Sequence, residues 1–349
     1  MYKCCFVLLA AMFLASCNGG GNVSVQQDEP HLVIRLANEL KPDSRIWDAS
    51  QFFIEEVSKA SEDGDVKAGE VEVVFYDQGT IGSERALLEN CYYDVIEMVQ
   101  VNSSIVTTLD DAYNVLDLPY LFLDKKQHEK VLYGELGQTM LDELGDYGLV
   151  GLGFYGTGFR NLFYKRKGGP HAVSGPKDLR GIKIRVMESP TMISAIGAMG
   201  ATASPIPFSE LFTSIKTGVV DGAENSAKIF MSYKYYEAGV NQFTMTEHFA
   251  NQHVIIANAG WFNSLAPKYR KHIKEAIHRS QLRFDIMWGK VTEESMEALR
   301  DNGVNINYLH GKSSFVEQSD KVIRDFSRKY PELKEKYVDK ILAIRNSEK

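Results

Sequence analysis

From His31 onward, short apolar runs alternate with longer helical stretches, and this alternation constrains the fold more than any other feature of the chain. Leu32–Ala37 and Val71–Tyr76 read as strands, 44–60 as a helix capped by Asp43, and 82–91 as a helix with acidic Glu84 in its first turn. Such a succession predicts a mostly parallel sheet covered on both faces. A helix over 125–144 is expected next. After it, 149–155 and 159–165 read as two strands separated by the glycine break Gly156-Thr157-Gly158. Near the end, 267–302 carries apolar residues at helical spacing (Ile273, Ile277, Phe284, Met287, Trp288, Val291, Leu299) and stops before Gly303. At 349 residues the chain exceeds what one core comfortably serves, so two domains of roughly 150 residues are expected.

The first residues bear on compartment. Lys3 precedes an apolar run over 6–14 and then Leu14-Ala15-Ser16-Cys17, the form of a signal peptide over 1–16. Small residues before a cysteine, followed by Asn18-Gly19-Gly20-Gly21-Asn22, resemble the lipobox of bacterial lipoproteins, which implies that Cys17 becomes the lipidated first residue. A plain secretory leader cut elsewhere is the alternative. Residues 17–30 read as a flexible tether. Of the 4 cysteines, Cys4 and Cys5 belong to this leader, so with Cys17 lipidated only Cys91 remains and no intramolecular disulfide can form. Cys91 sits on a helical stretch as a small buried hydrophobe rather than a nucleophile.

Composition and motifs then exclude chemistry by class. A formal charge of −7 provides no positive field for nucleic acid. Gly151 to Gly156 fits GxGxxG, but a strand-like run follows it instead of the helix that would hold a pyrophosphate. There is no P-loop, HExxH or GxSxG, the 8 histidines supply no helical pair with a third metal ligand, and Ser174-Gly175-Pro176-Lys177 puts Gly-Pro where a catalytic helix turn would be needed. No cofactor or metal is expected, and the balance moves from catalysis toward binding.

The stretch 178–226 is the most informative. In Ile182-Lys183-Ile184-Arg185-Val186, period two puts the apolar residues on one face and Lys183 and Arg185 on the other, either a solvated face or a binding one. Ser204-Pro205-Ile206-Pro207 opens a helix with Phe208, Leu211, Phe212 and Ile215 on one stripe, a pattern more often core than ligand contact. Asp221-Gly222 then turns the chain toward Glu224 and Asn225.

Taken in order, GxR at 158–160, DLRGIKIRV at 178–186, IGAMGA at 196–201, PIPFSELFTSIKTGVVDGAEN at 205–225 and TEHF at 246–249 resemble the DctP-type substrate-binding proteins of TRAP transporters. The resemblance runs from about His31 to the C-terminus. It implies a two-lobed α/β clamshell with mixed sheets, of the periplasmic-binding-protein type, crossing strands between the lobes and a long helix bracing both. Lobe I is expected over 31–156 plus 250–290, and lobe II over 157–249 plus 291–349. It also implies a partner, the membrane permease driven by an ion gradient, with the lipid holding the receptor to the membrane and no enzymatic activity.

Carried over residue by residue, the resemblance assigns the ligand carboxylate to Arg185, whose planar guanidinium matches both oxygens. A second arginine aligns with Arg160, a packing ring with Phe208, and polar contacts with Asn225 and Gln252. Glu188 falls where many relatives carry an amide, either meeting a ligand hydroxyl or merely pairing with a lobe residue. Glu84 is either a cleft residue or a helix N-terminal charge at the surface, and Glu97 is a weaker candidate. The motifs around Arg185 and Asn225 look more like relatives that take sugar acids such as hexuronates than like C4-dicarboxylate binders. Rival readings are a C4-dicarboxylate receptor, a lipid-tethered sensor with the same cleft, and an extracytoplasmic hydrolase, for which no nucleophile-base pair stands out.

Overall fold

The computed structural model describes residues 32–347; the leader expected over 1–16, the tether expected over 17–30 and Cys17 lie outside the described residues. Among the described residues, nine strands join in one sheet: β1 (Leu32–Ala37), β2 (Val71–Tyr76), β3 (Met98–Asn102), β4 (Leu149–Tyr164), β5 (Lys183–Val186), β6 (Thr202–Pro205), β7 (Gly222–Asn225), β8 (Gln242–Asn258) and β9 (Asn305–Tyr308). Their order is β2-β1-β3-β8-β4-β7-β5-β6, with β9 beside β8. The short outer strands pair in parallel on each side, as the alternation predicts. The centre departs from that expectation: β4 and β8 are antiparallel to each other and to their neighbours β7 and β3, so the sheet is mixed. These two long strands carry the chain between the lobes.

Local differences from the sequence reading have local causes. Ser44, not Asp43, caps the first helix, Arg45–Val57, its side chain accepting from the Trp47 N–H at 3.3 Å. Asp43 instead takes a left-handed conformation at φ 69°. The stretch 125–144 is two helices, Lys125–Leu132 and Glu135–Glu143, interrupted at Gly134, which is extended and caps the second. The expected glycine break is absorbed inside one 16-residue strand, β4, as register shifts against β8 between Gly156 and Gly158 and at two other points. A bulge lets an antiparallel ladder continue past an irregularity, and Gly158 supplies φ 83° there.

Three apolar clusters flank the sheet. One runs through both lobes, from Ile34 and Phe53 to Phe163, Ile215 and Phe230, and is closed by the 35-residue helix Pro267–Asp301. Ile273 and Ile277 near its start and Leu299 near its end are buried in that cluster, so the helix braces both lobes, whereas Met287 is exposed. The second cluster fills the far face of lobe I and includes Cys91, whose thiol is pushed up to about 12 by burial. Tyr337, Val338 and Ile341 also lie in it, so the last helical segments pack on lobe I rather than on lobe II as expected for 291–349. The third, around Ile184, Val186 and Ile196, is the core of the opposite face of lobe II.

The lobes are in contact across the cleft. Ser209 N–H donates to Glu39 Oε1 at 3.1 Å, Lys41 N–H to the Tyr233 hydroxyl at 3.2 Å, and Ser232 Oγ to the Asp43 carbonyl at 2.6 Å. Lys228 pairs with Asp43, and Arg85 Nη1 reaches Glu188 Oε2 at 2.9 Å.

Candidate functional site: a cationic cavity between the lobes

Between the lobes lies a small cavity lined mostly by polar and charged side chains. Its walls include Glu84, Asn102, Arg45 and His253 from lobe I and β8, and Arg160, Arg185, Phe208, Asn225 and Lys228 from the opposite side.

Arg185 stands on β5, whose alternation sends Ile184 and Val186 into the core and Arg185 toward the cavity. The arginine is 2% exposed. Its Nε donates to the Ile206 carbonyl at 2.6 Å and its guanidinium carbon lies 5.6 Å from the Phe208 ring centre, but no carboxylate pairs with it among the described residues. Burial lowers its pKa from the usual arginine value, with Glu224 acting the other way. A desolvated guanidinium held by a carbonyl and a ring, with both Nη groups uncommitted among the described residues, can receive an anion.

Arg160, on β4, has a different status. Its Nε and Nη2 clasp the two carboxylate oxygens of Glu224 (Nη2–Oε1 2.8 Å), Nη2 also donates to the Glu224 carbonyl at 2.9 Å, and Nη1 donates to Asn251 Oδ1 at 2.7 Å. With five N–H donors and four acceptors among the described residues, one N–H remains uncommitted. Glu224 can approach this closely because β7 lies tight on β4: a Cβ on Gly222 would stand 1.9 Å from the Phe163 carbonyl oxygen.

Phe208 and Asn225 line the cavity as expected. Phe208 is held edge-on by Tyr233 at 4.9 Å between ring centres, so it leaves the core stripe that Leu211 and Ile215 keep. Asn225 Oδ1 accepts from Ser226 N–H at 2.8 Å, which leaves its amide NH2 uncommitted. Glu84 is 7% exposed and lines the cavity; its Oε1 accepts from Asn102 N–H at 2.8 Å, which answers the surface-charge alternative. Behind it, Glu39 Oε2 accepts the Glu84 N–H at 3.2 Å, and burial followed by the neighbouring Glu84 raises the Glu39 pKa.

Two expected residues lie elsewhere. Gln252 is buried away from the cavity, its Oε1 2.8 Å from His128 Nε2 and its Nε2 donating to Ser103 Oγ at 2.5 Å. In β8 the cavity face belongs to its neighbours Asn251 and His253, because alternation turns Gln252 to the opposite side. Glu188 lies at the rim in its bond to Arg85, with its side chain 35% exposed, so it joins lobe to lobe and does not line the cavity. Glu97 is likewise outside, paired with Arg35. Arg45, Asn102, Asn251, His253 and Lys228 were not singled out by sequence; burial moves the Arg45 pKa down to about 10.

The family model of the DctP proteins, described as bacterial extracellular solute-binding protein, family 7, matches residues 36–329. The chain belongs to that family. Membership makes it an extracytoplasmic solute-binding protein of the TRAP type and not an enzyme. A solute-binding protein of Chromohalobacter salexigens is 30% identical over 292 residues, covering 83% of each chain. A solved TRAP periplasmic solute-binding protein from C. salexigens with bound D-glucuronate superposes with TM-score 0.82 at 28% identity, over 89% of this chain and 99% of that one. The sugar-acid-binding protein DctPAm of Advenella mimigardefordensis, in complex with galactonate, gives TM-score 0.82 at 29% identity, over 90% and 98%. Among the described residues no helix is long and apolar enough to cross a membrane, and no group of three or more His, Cys, Asp or Glu could hold a metal.

Proposed function

We propose that this protein captures a sugar acid, such as a hexuronate or aldonate, and delivers it to the membrane permease of a TRAP transporter. The observation that carries the reading is Arg185: a guanidinium 2% exposed, facing a cavity, without a carboxylate partner among the described residues. The ligand's carboxylate takes that place, with the remaining Arg160 N–H and the Asn225 amide as further donors and the Phe208 ring against the sugar. The sugar acids bound by the related C. salexigens and A. mimigardefordensis structures support the same class of ligand.

Capture proceeds without chemistry. The acid enters between open lobes, its charge is matched by Arg185, and closure across the Asp43, Glu39 and Glu188 contacts excludes water. Lobe I is taken as 31–156 plus 250–290 together with the last helical segments, and lobe II as 157–249 plus the rest of 291–349. Cleavage before Cys17 and lipidation of that cysteine tie the receptor to the membrane through the 17–30 tether.

A thermal-shift screen of a soluble form beginning after Cys17 tests the ligand class, since a ligand that binds only the native state raises Tm by mass action. The expected result is a shift with a hexuronate or aldonate. A shift with C4-dicarboxylates alone would transfer the protein to the rival class. Mass spectrometry of the membrane-extracted protein tests the anchor: acyl groups on an N-terminal Cys17 are expected, and an unmodified mature N-terminus elsewhere would refute it.

A further inference from the structure

We infer that Glu84 and His253 act together as a hydroxyl-reading pair that sets selectivity for polyhydroxy monoacids over dicarboxylates. The inference rests on the sugar-acid reading above and adds the residues that enforce it.

Glu84 opens the helix Glu84–Tyr92 in lobe I, and His253 lies on β8; both line the cavity that Arg185 enters from lobe II. His253 Nε2 stands 3.4 Å from Glu84 Oε1, the same oxygen that accepts the Asn102 N–H. Glu84 Oε2 has no hydrogen-bond partner among the described residues. His253 is 6% exposed and its Nδ1 is buried with no hydrogen-bond partner. Two buried polar side chains thus line the cavity with hydrogen-bonding capacity unspent among the described residues, which is costly unless ligand binding supplies the missing partners.

The chemistry of the missing partners follows from the groups. An ionised carboxylate only accepts hydrogen bonds, so the partner Glu84 needs is an O–H or N–H. An imidazole can donate or accept, and a hydroxyl can answer either way. A carbon chain bearing hydroxyls satisfies both residues while its single carboxylate remains with Arg185. A C4-dicarboxylate would bring its second charge to the wall where Glu84 stands, backed by Glu39, whose Oε2 holds the Glu84 N–H. Like charges in a partly desolvated site repel strongly, and Glu84 would keep its unspent lone pairs. Selectivity then comes from two sources, attraction for hydroxyls and repulsion of a second carboxylate.

Calorimetric titration of D-glucuronate, D-galactonate and succinate into wild type, Glu84→Gln and His253→Gln separates these effects. Glu84→Gln keeps an oxygen for the Asn102 N–H, and melting curves verify that each variant is folded. The expected result is that Glu84→Gln weakens the preferred sugar acid about tenfold or more and tightens succinate, so the ratio of their Kd values changes by about a hundredfold. His253→Gln is expected to weaken the sugar acid while leaving succinate within about threefold. A Kd ratio that stays within about threefold of wild type in folded Glu84→Gln would overturn the pair's role even though the wild type binds sugar acids. Failure of the underlying reading has a separate signature, wild type that binds succinate more tightly than either sugar acid, and that result would overturn both.

Discussion

Arg160 and Glu224 form a closed ion pair, 3% and 0% exposed, in which the guanidinium spans both carboxylate oxygens and the Glu224 carbonyl. Two arginines therefore line one cavity with opposite bookkeeping. Arg160 is neutralised by the protein, whereas Arg185 has no paired carboxylate among the described residues and in the proposed function takes its counter-ion from the ligand. Removing one member of a buried pair strands the other charge, so Glu224→Ala is expected to cost about 3–5 kcal/mol of stability. Denaturant titration checks this, and a loss below about 1 kcal/mol would mean that solvent reaches the pair.

Gln252 belongs to the same strand but not to the cavity. Its bonds to His128 and Ser103 make it structural, so Gln252→Ala is expected to lower stability by about 1–3 kcal/mol, the cost of leaving buried polar groups unpaired. Its Kd for the cognate acid should stay within about threefold of wild type. A loss of affinity without a loss of stability would return Gln252 to the site.

At the rim, Arg85 and Glu188 join the lobes through a half-exposed salt bridge. Such pairs contribute about 0–1 kcal/mol and are screened by salt. Glu188→Gln should therefore speed ligand release by no more than about fivefold in low salt, with the difference vanishing at high salt. Stopped-flow release measured at two ionic strengths decides; an affinity loss of a hundredfold or more would place Glu188 on the ligand.

Asp117 supplies a pH signature. It is 3% exposed, and burial pushes its pKa from 3.8 up to about 6, only partly offset by the Ser104 hydroxyl donating at 2.6 Å. Arg160 and Glu224 act on it in opposite directions. The folded protein thus holds this proton more tightly than the unfolded chain. The resulting stabilisation is present at low pH and is lost as pH rises from about 4 through 6, on the order of 2–3 kcal/mol. Asp117→Asn should remove that loss, so Tm of the variant relative to wild type rises between pH 4 and 7. A constant difference across that range would refute the assignment.

The parts of the site that a single chain reveals are those where pattern and environment contrast. Arg185 alternates with buried Ile184 and Val186 on a short strand, and Asp221-Gly222 marks the turn before Asn225. The long helix declares itself through spacing and through Gly303, which adopts φ 73° just past its end. Strand β8 defeats the same method because it is buried nearly throughout, so Asn251, Gln252 and His253 carry no inside-outside contrast to tell which of them faces the ligand. Arg45 and Lys228 resemble ordinary helix cations until the lobes close over them. The single ladder through β4 was hidden because the same glycines serve a break or a bulge, and only pairing with β8 distinguishes the two.

The most direct test of the central claim is calorimetric titration of wild type and Arg185→Ala with the sugar acid that shifts Tm most. Arg185 would be half of a buried charge pair in the complex, so its loss is expected to weaken binding by a few hundred-fold or more, about 3–5 kcal/mol. Stability of the ligand-free protein should fall less than in Glu224→Ala, because no carboxylate among the described residues is directly ion-paired with Arg185, Glu224 and Glu39 acting on it only at longer range. Near-wild-type affinity in a folded Arg185→Ala variant would contradict the account.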